Sequence, residues 1–216
     1  MPLESLGPTT PRCLVLDLPL TTDVVDQSIY GHDGVPSGAA VFDDGAMACN
    51  GTFECGAVVA HRPNLILPAP WTIACAVKIA YANLGGLHSL VALDVAAEWA
   101  PPYCHAWLTV EYAGRLAVAA GGDLSLVGTI NLADGEWHHV AAVYTGRRLE
   151  LYVDGASDGG VDWQGRYVPT RQSLFLGQHP STNEHLIGRL ANVKLYRVAL
   201  NATAVAALAV ADSPSA

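Results

Sequence analysis

"DGEWHHVAAVYTGRRLELYVDG", residues 134–155, decides how this chain folds. An apolar run from Trp137 to Tyr144 is broken by Thr145-Gly146-Arg147, and beyond the break Leu149, Leu151 and Val153 alternate with Arg148, Glu150 and Tyr152. Apolar runs on both sides of a glycine-bearing turn, the second in twofold alternation, predict a β-hairpin, because successive strand side chains point to opposite faces. The same rule removes His138 and His139 as a metal pair, since neighbours on one strand cannot hold one ion. Trp137 reads as buried area at a strand start rather than as a sugar platform.

Outward from this hairpin the chain keeps one pattern: short apolar runs, rich in β-branched residues, separated by Gly, Pro, Asn and Asp. Strands are expected over residues 12–18, 39–42, 53–59, 71–80, 89–95, 104–111, 115–120, 124–130, 137–144, 148–153, 173–176 and 188–198. The tail "LNATAVAALAVA", 200–211, opens with Asn201, a good N-cap, and predicts a short terminal helix. In "WTIACAVKI" the alternation puts Trp71, Ile73, Cys75, Val77 and Ile79 on the core side. In "YCHAWLTVE" it puts Cys104, Ala106, Leu108 and Val110 on one face and Tyr103, His105, Trp107, Thr109 and Glu111 on the other. That second face carries aromatics and an imidazole where a solvated strand would carry Thr, Lys or Glu.

Composition sets the limits. The chain has 216 residues, 51% of them hydrophobic and only 14% charged, which favours one large compact domain over disorder. With 11 Lys and Arg against 20 Asp and Glu the net charge is -9, which repels nucleic acid and anionic membrane surfaces. The N-terminal "MPLESLGPTTPRCLVLDLPL" lacks a basic segment followed by a long apolar core, so on sequence alone it reads as cytosolic. Five cysteines, with no Cys-x-x-Cys, argue against a zinc site and read as isolated buried thiols; Cys49 and Cys55 are the one pair near enough in sequence to consider for a bridge. Asn50-Gly51-Thr52 and Asn201-Ala202-Thr203 match glycosylation acceptors, relevant only to a secreted chain.

Gly135, Trp137-His138-His139-Val140, Tyr144, Gly146 and Leu151-Tyr152-Val153-Asp154-Gly155 together resemble the laminin-G-like jelly rolls of the concanavalin A-like lectin/glucanase superfamily. "DQSIYGHDG" (26–34), "AMACNGTFECGAV" (46–58), "WTIACAVK" (71–78), "LFLGQ" (174–178) and "GRLANVKLYRVALNATAVAAL" (188–208) resemble further family segments in the same order, so the likeness spans about 14–208. It implies an all-β, antiparallel β-sandwich jelly roll with a short C-terminal helix: an N-terminal extension over 1–11, one domain over 12–211 and a tail over 212–216. Members often carry a structural calcium ion, which the resemblance would place on Asp26, Ser28, Asp33 and Asn192, although Asn192 stands where the family usually has Asp. Equally, Asp26 and Ser28 could simply tie their own turn. Family members are mostly extracellular, against the reading of this N-terminus, and the compartment stays open.

A polysaccharide-acting hydrolase or lyase is the least favoured reading: Gln172, His105 and Tyr167 are residue types that lyases on this fold use, but their spacing forms no catalytic pattern. The superfamily's glucanases carry Glu-x-Asp-x-x-Glu on one strand, whereas Glu98, Glu111, Glu136, Glu150 and Glu184 are scattered singly. Two segments instead have a lectin's composition: "EWAPPYCHAW" (98–107), offering Trp99, Tyr103, His105 and Trp107, and "DWQGRY" (162–167), offering Trp163, Arg166 and Tyr167. An exposed aromatic beside polar groups suits the apolar face and polar rim of a sugar ring. The expected function is non-catalytic binding of a carbohydrate or glycoprotein. The alternative is a protein-interaction or assembly module, including homo-oligomerisation, built on the same aromatics.

Overall fold

The computed structural model describes residues 12–52, 54–80, 85–96, 104–165, 169, 171–180 and 183–214. The strands are β1 (Leu14–Leu18), β2 (Gly34–Ser37), β3 (Val41–Asp43), β4 (Ala46–Asn50), β5 (Gly56–Val59), β6 (Trp71–Ala80), β7 (His88–Leu93), β8 (Ala106–Val110), β9 (Arg115–Ala120), β10 (Leu124–Asn131), β11 (Asp134–Tyr144), β12 (Arg148–Val153), β13 (Ala156–Asp162), β14 (Leu174–Leu176) and β15 (Ile187–Tyr196). Among the described residues there is one α-helix, α1 (Ala202–Ala211), after the last strand, and it is too short to cross a membrane.

Every strand pairing among the described residues is antiparallel. One sheet runs β13-β12-β11-β6-β15-β4-β3 with β1 added on β15, and the other runs β10-β9-β8-β7-β14-β5-β2. The expected hairpin is β11–β12, in register from Val140↔Val153 to Tyr144↔Leu149. The core lies between the sheets, where Ile73, Cys75, Val77 and Ile79 of β6 meet Leu90, Leu108, Leu116 and Val118 of the second sheet. A sandwich jelly roll with one C-terminal helix is thus the observed architecture.

The outer face of the first sheet is covered as well. α1 lays Ala204 and Val205 on Ala74, Ala141, Val143, Tyr152 and Tyr196, while Trp137 rests half-buried on Ala46, Ala76 and Ala191. The helix comes this close because Gly155 lacks a side chain: a Cβ there would lie 2.8 Å from Ala206 Cα. Asn192 sits with φ +52° where the register of β15 slips between Ala191 and Lys194. Asparagine tolerates that left-handed conformation better than most residues, and the slip divides the strand between β4 on one side and β1 on the other.

One expected face is corrected. Strand β8 begins only at Ala106, after a bend in which His105 N–H reaches Leu93 and Asp94 carbonyls at 3.2 and 3.4 Å. The alternation therefore slips: Cys104 joins Trp107 in an outer cluster with Ala92 and Val95, while His105 turns towards Trp71.

Candidate functional site

At one end of the sandwich β6 begins and β11 finishes, and their terminal residues Trp71 and Tyr144 are paired. Their rings lie 5.5 Å apart and tilted by 50°. Around them the chain leaves a recess of about 140 Å³, lined by Leu67, Pro68, Ala69, Trp71, His105, Tyr144, Trp163 and Gly165. His105 lies 5.7 Å from the Trp71 ring and Trp163 lies 5.0 Å from the Tyr144 ring, so the four rings run continuously along the recess. Such tilted pairs favour the contact of a ring edge with a π face.

Trp163 is held from several sides. It leaves β13 with its N–H donating to the Arg147 carbonyl at 2.8 Å, and its indole Nε1–H donates to Asp123 Oδ1 at 3.1 Å. The ring passes over glycines: a Cβ at Gly121 would come within 2.7 Å of its Cζ2, and one at Gly165 within 2.0 Å. Tyr144 Oη–H donates to the Trp163 carbonyl at 3.4 Å. Burial pushes the His105 imidazole down to about 4 against the opposing pull of Asp94, so at neutral pH it is uncharged. Burial likewise raises the Tyr144 phenol.

Of the residues expected to bind ligand, the structure brings His105 and Trp163 into one recess. Trp107 lies elsewhere, 6% exposed, its Nε1–H donating to Ser89 Oγ at 3.0 Å and its ring 4.7 Å from His179. Trp99, Tyr103, Arg166 and Tyr167 lie outside the described residues. Sequence reading missed Trp71 and Tyr144 as lining, because strand parity assigns both to the core. The signal that could have found them is their position, each at the end of a long strand where the sandwich opens.

The Asp26 loop is arranged as a closed turn. Asp26 Oδ1 accepts from the Asp17 and Ser28 N–H groups, both at 2.9 Å, and Oδ2 accepts from the Ser28 hydroxyl and the His32 N–H, both at 2.7 Å. Asp33 Oδ1 takes the Asp26 N–H at 2.9 Å. Asn192 gives its amide Nδ2–H to the Asp212 carbonyl at 2.7 Å. Both Asp26 oxygens and Asp33 Oδ1 thus face N–H and O–H donors, which is how a turn ties itself, and among the described residues no group of three or more His, Cys, Asp or Glu is placed to hold a metal. His138 and His139 do point apart: the first bonds Asp154 and Asp134 at 2.8 and 3.1 Å, while the second is buried.

Among curated proteins none matches the chain in sequence. Among solved structures it is similar to the binding domain of Paraclostridial Mosquitocidal Protein 1 (TM-score 0.75, 14% identity, covering 92% of this chain and 52% of that one). It is similar as well to domain 4 of AbnA, an extracellular arabinanase of Geobacillus stearothermophilus, in complex with arabinotriose (0.71, 16%, 91% and 98%). A third likeness is to Trypanosoma rangeli sialidase in complex with sialic acid (0.70, 19%, 92% and 33%). The chain thus spans about half of the first structure, a third of the sialidase and nearly all of the arabinanase domain. These likenesses show the fold. The family profile described as the concanavalin A-like lectin/glucanases superfamily, in its laminin G form, matches residues 56–206, and the chain belongs to that family.

Proposed function

We propose that this chain is a non-catalytic recognition domain that binds a carbohydrate or glycoconjugate in the recess between Trp71, Tyr144, Trp163 and His105. The observation that carries this reading is the recess itself: aromatic walls on a rigid sandwich, with His105 as an uncharged polar group among them. Sugar C–H faces pack on aromatic rings, and the few polar groups set orientation. No carboxylate is among the described lining residues, whereas glycoside hydrolysis needs two facing each other. The arabinanase domain holding arabinotriose on the same fold supports a sugar ligand. The binding domain of the mosquitocidal protein and the receptor-binding domain of botulinum neurotoxin type G, also similar in fold, favour a second reading in which the ligand is a protein surface.

A glycan array separates the two, run with and without calcium and paired with light scattering. Retention on a glycan, weakened at least about tenfold by Trp163→Ala, is expected. Retention indifferent to that substitution would remove the recess from the account, and a stable oligomer with no glycan retained would favour the protein-interaction reading. Calcium earns a place only if chelation lowers retention or thermal stability.

A further inference from the structure

The shape of the recess says how a sugar enters it. Among the described residues its floor is formed by Trp71, His105 and Tyr144, which are 2%, 4% and 5% exposed. Its volume, about 140 Å³, is less than half of what a pocket for a multi-ring ligand needs, roughly 300 Å³ or more. A chain running through a site requires a longer groove, and a recess of this size admits one ring.

Trp163, the least buried of the aromatic walls, is held in place before any ligand arrives. The bare backbones of Gly121 and Gly165 leave room for its indole, and Asp123 anchors its Nε1–H at 3.1 Å. A wall positioned in advance loses no side-chain freedom on binding, which favours affinity from a small contact area.

Resting on the carbohydrate reading above, we propose that the recess takes a single terminal, uncharged sugar ring end-on, and that Asp123 and Gly165 are positioning residues that set Trp163 as its selecting wall. The described lining residues carry no formal charge at neutral pH to pair with an acidic sugar.

The test is a chain-length series by calorimetry. The methyl glycosides of arabinose, galactose, glucose, mannose and N-acetylglucosamine are each compared with their own linear oligomers, and methyl sialoside is included as an acidic control. Affinity per chain end is expected to stay within about threefold from one ring to six, with the acidic control unbound. Affinity rising about tenfold or more with length, or preference for the sialoside, overturns end-on neutral binding while leaving carbohydrate recognition standing. Absence of binding to every glycan here and on the array removes both readings.

The positioning role is read separately. Gly165→Ala and Asp123→Ala should each weaken binding about tenfold with the thermal midpoint and near-ultraviolet circular dichroism of the other tryptophans retained. Asp123→Asn, whose amide oxygen can accept the same bond, should restore most of the affinity. Equal losses in the Ala and Asn variants would show that Asp123 does not act through Trp163.

Discussion

Asp158 holds two strands of different sheets with one oxygen. It sits on β13, 4% exposed, and its Oδ1 accepts from the N–H groups of Thr129 and Ile130 at 2.9 and 3.1 Å and from the Thr129 hydroxyl at 2.8 Å. Gly128 makes the approach possible, since a Cβ there would lie 1.9 Å from Asp158 Oδ2. Asp158→Ala would remove three charge-assisted hydrogen bonds between the sheets and should cost about 2 kcal/mol, with Asp158→Asn costing less because an acceptor remains. Urea titration of the two variants checks this, and equal small losses would show that the bond is made equally well to water. No sequence pattern announces this clasp, because its partners lie 28 and 29 residues apart and a lone Asp in a Gly-rich stretch reads as a turn. Trp163 was legible for the opposite reason: an aromatic amid Asp, Gln, Gly and Arg has no core face to belong to. Trp71 and Tyr144 do have such a face, so alternation hid their part in the recess.

Among the elements, the strands with strong alternation are those the sequence defines best. β6, β9 and β12 begin and end where expected, at residues 71–80, 115–120 and 148–153. β2, β4 and β13 went unforeseen. Pro36 and Gly34 in β2, and Gly159 and Gly160 in β13, are turn formers that a strand tolerates at a sheet edge, where ladder hydrogen bonds are needed on one side only. The helix was legible from its cap, and Asn201 Oδ1 does accept the Ala204 N–H at 2.9 Å. At its other end Asp212 is pinned by Lys194 Nζ at 2.5 Å, both side chains being largely buried. Asn201→Ala should cost about 1 kcal/mol, the ordinary worth of a cap. Lys194→Met should cost more, about 3 kcal/mol, because the Asp212 carboxylate would stay buried without its partner. Chemical denaturation ranks the two, and a Lys194→Met variant as stable as Asn201→Ala would mean that Asp212 swings into water when the lysine is gone.

For the molecule as a whole, buried histidines set the response to acid. Burial pushes His105 and His179 down to about 4, with Asp94 opposing at the first and His185 adding to the effect at the second. Burial also lowers His32, His139 and His185. A base whose folded pKa lies below its unfolded one binds fewer protons when folded. Its contribution is therefore complete above the unfolded value near 6.5 and is lost progressively as pH falls from there through the folded value. His138 runs the other way: burial pulls it down, but its hydrogen bonds to Asp154 and Asp134 and their charges outweigh this and raise it. Its stabilisation is present below about 6.5 and fades as pH rises through the raised folded value. Asp17, raised mainly by burial with Lys194 opposing, also favours acid. The lowered histidines outnumber these opposing groups, and His105 alone should remove about 2 kcal/mol between neutral pH and pH 5. The urea midpoint should therefore fall from pH 7.5 to pH 5, less steeply in His105→Gln, which has no proton to gain. A midpoint that rises on acidification would mean that the imidazoles reach water or acidic partners while the sandwich stays folded.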